Sequence, residues 1–153
     1  PRWPLPSDKA QMMNRLSIAA LAALSLLAAC RSPGEDDRST RPFDGIGPKE
    51  TIRFTGTEPF WGGEAAGDTL TYTAPDDIEG TTINVQRFAG NSGLGLSGTL
   101  SGSKFDMVVT EGACSDGMSD REYPYTVTLQ LGEETRMGCA WTDRQPFTGP
   151  ANP

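Results

Sequence analysis

The stretch YTVTLQLGEETRMGCAW, residues 125–141, decides the fold. Tyr125, Val127, Leu129 and Leu131 alternate with Thr126, Thr128 and Gln130, and Met137, Cys139 and Trp141 repeat the alternation after Gly132-Glu133-Glu134. A period of two places successive side chains on opposite faces of a strand, so each run is a half-buried β-strand. The glycine between them marks a hairpin turn. A three-residue loop at Gly132–Glu134 would pair Leu129 with Met137, Val127 with Cys139 and Tyr125 with Trp141, with Cys139 pointing into the core.

The same period extends outward along the chain. Ile52 and Phe54 alternate, as do Leu70 and Tyr72, Ile83 and Val85, Leu94, Leu96 and Leu100, and Phe105, Met107 and Val109. Threonine fills many of the intervening positions, as a pleated, half-solvated surface favours. Ser101-Gly102-Ser103-Lys104 fits a two-residue turn with glycine first, which sets Leu100 opposite Phe105, Gly98 opposite Met107 and Leu96 opposite Val109. Outside residues 13–29 no window has helical periodicity. The expectation is a small single-domain all-β fold, an antiparallel barrel or sandwich of about seven or eight strands. Closure is preferred because it removes exposed sheet edges.

Residues 13–29 read differently. Asn14-Arg15 is a short cationic start, Leu16–Leu27 is apolar but for Ser17 and Ser25, and Leu27-Ala28-Ala29-Cys30 closes the run with small residues before a cysteine. This is the pattern of a bacterial lipoprotein signal peptide. A bilayer-spanning helix needs about 20 apolar residues, more than the run supplies. Cys30 is therefore expected to carry a diacylglycerol on its thiol, with palmitate as the fatty acid, and to become the mature N-terminus. Residues 1–12 read as an upstream extension, with translation expected to start at Met12 or Met13. Residues 30–49 read as the acylated cysteine and a flexible tether, 50–147 as the β domain and 148–153 as a disordered tail. Arg31 follows the cysteine, and no aspartate stands there to retain the protein at the inner membrane. The expected location is the periplasmic side of the envelope, at the outer membrane.

Loss of the leader removes Arg2, Lys9, Arg15 and Asp8 from 13 basic and 20 acidic residues, which leaves a formal charge of −9. Such a surface repels nucleic acid and anionic lipid head groups, so attachment to the membrane falls to the acyl chains. With Cys30 consumed by lipid, Cys114 and Cys139 remain, and an oxidising compartment pairs them as a disulfide. No histidine is present to complete a two-cysteine metal site or to act as a general base. Asp116, Asp120 and Glu122 miss the spacing of an EF-hand loop. No cofactor, metal or catalytic residue is expected.

Two segments stand out as candidate binding elements. Phe54-Thr-Gly-Thr-Glu-Pro-Phe-Trp-Gly62 is a kinked stretch in which Phe60 and Trp61 either plug one end of the barrel or, with Glu58, line a recognition pocket. Cys114-Ser-Asp-Gly-Met-Ser-Asp-Arg-Glu-Tyr-Pro-Tyr125 is a loop whose Asp and Ser residues either cap turns or present Asp116, Asp120, Arg121 and Tyr123 to a partner. An accessible Trp61 sharing a concave rim with Asp116 would mark a binding module. A buried Trp61 together with a featureless loop would mark a structural protein.

These segments, with Leu70-Thr-Tyr72 and Gly138-Cys-Ala140, resemble a family of uncharacterised proteobacterial envelope lipoproteins over about Thr51–Ala140. The resemblance implies a lipid anchor, a disulfide and an envelope location, and implies no chemistry. The chain also resembles the membrane-bound inhibitors of C-type lysozyme in size, anchor and cysteine usage. Their inhibitory loop carries Ser-Gly-x-x-Tyr, whereas Ser119-Asp120-Arg121-Glu122-Tyr123 has Asp120 at the glycine position. A META-type heat-inducible lipoprotein is a weaker match, since its helix is not visible here. The functional expectation is a non-catalytic, lipid-anchored protein that binds an envelope partner, with lysozyme inhibition or a structural role as alternatives.

Overall fold

The computed structural model describes residues 41–150. The upstream extension, the signal peptide and Cys30 lie outside the described residues. Eight strands follow one another: β1 Ile52–Thr57, β2 Phe60–Ala66, β3 Thr69–Ala74, β4 Asp77–Ala89, β5 Gly93–Leu100, β6 Ser103–Cys114, β7 Tyr123–Leu131 and β8 Glu134–Thr142. Each pairs antiparallel with its sequence neighbours, and β8 pairs with β1, so the sheet closes into an up-and-down barrel. The all-β, antiparallel expectation holds, and closure decides between barrel and sandwich.

The lumen is filled by side chains rather than open. Ile52, Phe54, Leu70, Leu96, Phe105, Met107, Val109, Tyr125, Val127 and Leu129 are all buried within one cluster. An eight-stranded barrel is just wide enough for side chains to fill it. Large and small inward positions interlock. A Cβ at Gly56 or Gly138 would overlap the Trp61 indole, and one at Gly63 would meet the ring of Phe54. Phe54, Trp61, Tyr72 and Phe105 form in that order a chain of rings, with centroids 5.8 to 6.1 Å apart along it.

Both hairpin registers differ from the sequence expectation. Ser101 and Gly102 both adopt positive φ, 49° and 83°, so they are the turn's central residues. This type I′ geometry matches strand twist. It pairs Leu100 with Ser103, Gly98 with Phe105 and Leu96 with Met107. The shift is two residues, so every side chain keeps its face.

The β7–β8 turn has only two central residues, Gly132 and Glu133, with Gly132 at φ 59°. Leu129 therefore faces Arg136, Val127 faces Gly138 and Tyr125 faces Ala140. A one-residue shift reverses every side chain of β8. Arg136, Gly138, Ala140 and Thr142 take the inward positions, and Met137, Cys139 and Trp141 take the outward ones. Cys139 is still only 1 % exposed, because the β6–β7 connection covers it from outside.

Packing extends beyond residues 50–147. Ile46 is buried in the core and Phe43 packs against it, while the Phe43 amide donates to Gly90 O at 2.7 Å. Residues 43–50 close the barrel end from which β1 starts. Gly45 O accepts from Tyr125 Oη at 3.2 Å and from Arg144 Nη2 at 3.0 Å, and Gly47 O accepts from Arg87 Nη2 at 3.2 Å. Glu50 Oε2 accepts from the Gly47 amide and lies 3.3 Å from Arg144 Nε. At the other terminus, Thr148 and Glu122 exchange backbone hydrogen bonds.

Candidate functional site

The β6–β7 connection is built on a carboxylate. Asp116 Oδ1 accepts the amides of Met118 and Ser119, at 3.0 and 2.8 Å. Its Oδ2 accepts the Ser119 hydroxyl at 2.7 Å and the Tyr123 hydroxyl at 3.0 Å. Burial works to raise the carboxyl's pKa. The hydrogen bonds from Ser119, Met118 and Tyr123 outweigh it and hold the group well below the usual carboxylate range. With Gly117 at φ 71° completing the turn, the segment folds around its own aspartate. The Cys114–Cys139 disulfide then fastens it across the outer face of β8.

Tyr123 is buried, at 3 % exposure. Its ring packs with Trp141 and Phe147 in a cluster outside the barrel, with centroids 5.4 to 5.7 Å apart. Arg121 lies over the Phe147 ring at 4.6 Å, and its Nε donates to Pro150 O at 2.9 Å. Asp120 is exposed, beside the point where residues 148–150 return to the loop. Of the loop candidates, Asp116, Tyr123 and Arg121 are thus held in contacts within the fold, while Asp120 faces solvent.

Trp61 belongs to the core, 4 % exposed, because the Thr57–Phe60 turn aims residue 61 inward and residue 60 outward. Burial agrees with the plug alternative for Trp61 and not for Phe60, and among the described residues no tryptophan is exposed. Its Nε1 is buried without a hydrogen-bond partner. Glu58 is exposed in the turn, next to Pro59 across a cis peptide bond.

Concave surface is found in several places: about 750 Å³ against β4 and β5, about 220 Å³ between β1 and the β6–β7 connection beside Asp116, and two neighbouring depressions on the outside of β1–β3. One depression of about 370 Å³ is lined by Phe60, Gly62, Pro75 and Ile78, with Trp61 bordering it from within. A second, of about 440 Å³, carries Arg53, Glu64, Thr71 and Trp141. Both include Thr55 and Thr73, so they lie side by side as a trough along β1–β3, lined by Gly62 in one and Gly63 in the other. Phe60 is 55 % and Ile78 79 % exposed. Sequence reasoning missed Ile78 and the outward role of Phe60. The available signal was Pro75-Asp76-Asp77-Ile78, an isolated large apolar residue in an acidic turn.

Chemically the trough offers apolar surface, threonine hydroxyls and the Arg53–Glu64 pair, 4.0 Å apart. Among the described residues no group of three or more cysteine, aspartate or glutamate side chains gathers to hold a metal ion. In comparisons with known proteins, no family model, curated protein or solved structure matched the chain.

Proposed function

We propose that this protein is a lipid-anchored, non-catalytic binding protein of the bacterial cell envelope, held by acyl chains on Cys30 and facing the periplasm. The observation that carries the binding role is the trough on β1–β3. Its two large apolar side chains project into solvent beside a concavity, an arrangement that marks contact surfaces more often than isolated apolar residues do. The lipoprotein pattern ending at Cys30 supports the anchor.

A photo-cross-linking residue at position 60 or 78, in the full chain expressed in a Gram-negative host, should capture a discrete envelope component. The same residue at Val108, exposed on β6, should not. Cys30→Ser should release the protein from membranes while leaving the barrel folded. Absence of cross-links from both trough positions would refute the binding role, and retention of the Ser variant after salt washing would refute the anchor.

A structural envelope role is the second reading, favoured by the burial of Trp61 and Tyr123. Lysozyme inhibition draws less support, because the Tyr123 hydroxyl is engaged by Asp116 instead of projecting from the loop.

A further inference from the structure

We infer that the barrel end formed by the β1–β2 and β3–β4 turns is a docking site for a cationic amphipathic polypeptide segment, one that presents an apolar side chain flanked by lysine or arginine. The inference rests on the binding role proposed above and names the chemistry of the partner. Phe60 and Ile78 supply the apolar contact across a single depression. Carboxylates stand near them in the chain: Glu58 two residues before Phe60, Asp76 two residues before Ile78 and Glu79 one residue after it. All three are exposed, and among the described residues none takes part in an ion pair.

The cations at this end are already engaged. Lys104 pairs with Asp106, and Arg136 pairs with Glu134 while donating to the Tyr72 hydroxyl. Uncompensated negative charge therefore stands in the two turns that carry the apolar patch, on a chain of net charge −7. That charge selects the occupant. A second copy would bring two acidic rims together, and an anionic lipid surface would be repelled. A positively charged rim around an apolar residue is the complementary arrangement, and it would speed association as well as bind.

The probe is a short fluorescently labelled Lys/Leu amphipathic peptide, titrated against the full chain by anisotropy. A Lys/Ser peptide of equal length and charge and a Glu/Leu peptide serve as comparisons. The Lys/Leu peptide should bind at least about tenfold more tightly than either, since the apolar anchor dominates and the rim selects sign. Phe60→Ser with Ile78→Ser should weaken it about fivefold or more. Neutralising the rim as Glu58→Gln, Asp76→Asn and Glu79→Gln should also weaken it and flatten its salt dependence.

Each variant's melting temperature should match that of the parent, because every replaced side chain is exposed. Equal binding of Lys/Ser and Lys/Leu peptides would overturn the inference, as would binding unchanged by the serine pair. Tight binding of the Glu/Leu peptide, or Phe60-dependent dimerisation in sedimentation equilibrium, would do the same. If residues 60 and 78 cross-link to an envelope component while the cationic peptide fails to bind, the binding role stands and this inference alone falls.

Discussion

Replacing Cys114 and Cys139 together by serine separates a chain constraint from a packing contact. The bond joins residues 25 apart. Loop-closure entropy for a loop of that length gives about 3.5 kcal/mol of stabilisation through the unfolded chain. For a body of roughly 110 residues, at about 4 °C per kcal/mol, the melting temperature should fall by about 14 °C. The position of Cys139 sharpens this expectation. Its side chain lies on the outer face of β8 beneath the β6–β7 connection, so its loss leaves Tyr125, Val127 and Leu129 packed as before. No lumen cavity opens, and no cavity cost should be added to the entropic one.

Urea unfolding followed by tryptophan fluorescence and by far-UV circular dichroism is the assay. The two probes should give coincident transitions, with a lower midpoint and a slightly higher m-value, because the uncrosslinked chain exposes more surface on unfolding. A loss below about 1 kcal/mol would show that the bond does not act by restricting the unfolded state. A loss well above about 5 kcal/mol, or failure to form the barrel, would show that it holds the sheet itself.

Asp116→Ala should cost about 1–3 kcal/mol by removing the acceptor for two amides and two hydroxyls, read as a drop in melting temperature. Because the folded-state pKa of Asp116 lies below the unfolded one, its stabilisation is complete above about pH 4 and fades as pH falls toward the folded value. Asp116→Asn should therefore show a shallower decline of melting temperature in acid than the parent. Gly138→Ala, forced against Thr55 O and the Trp61 ring, should cost about 1–3 kcal/mol by overpacking; near-UV circular dichroism should register the moved indole. Ile46→Ala should cost about 2–4 kcal/mol and raise amide exchange at Gly45 and Gly47 ahead of the sheet, which would test whether residues 43–50 seal the barrel.

The all-β class and the disulfide partners were legible because each depends on a property local to the chain: a period of two, and a count of cysteines. Register depended on turn geometry. Whether Gly132 opens a two-residue or a three-residue turn is settled by the pairing of Leu131 with Glu134, and that pairing decides the facing of Met137, Cys139 and Trp141. Their apolar character pointed to the lumen. In the fold, Cys139 and Trp141 instead find cover from residues 114–123 and 147, which arrive from elsewhere in the chain. Phe60 and Trp61 posed a similar problem, since adjacent strand residues must point opposite ways and both are large aromatics. Gly56 and Gly138, which make room for an indole, decide which of them enters. Ile46 was hidden by composition, set among the Pro, Gly and Asp residues of an apparent linker.

The pairing of β8 with β1 has a consequence for truncated chains. Ile52 lies opposite Thr142, so the seam of the ring joins the two ends of the folded sequence and cannot form until nearly the whole chain is present. Arg53–Asp143 and Glu50–Arg144 clasp that seam from outside. A chain ending at Leu131 would lose β8 and bare two edges at once, on β1 and on β7, while leaving the Cys114 thiol without its partner. Uncapped edges recruit strands from other molecules. A late stop before β8 would therefore convert a closed barrel into a template for aggregation, whereas a cleavage in the Gly132–Glu133 turn would leave β8 tethered through Cys114–Cys139. Loss of residues 41–50, by contrast, would remove the segment that closes one barrel end and leave all eight strands in place.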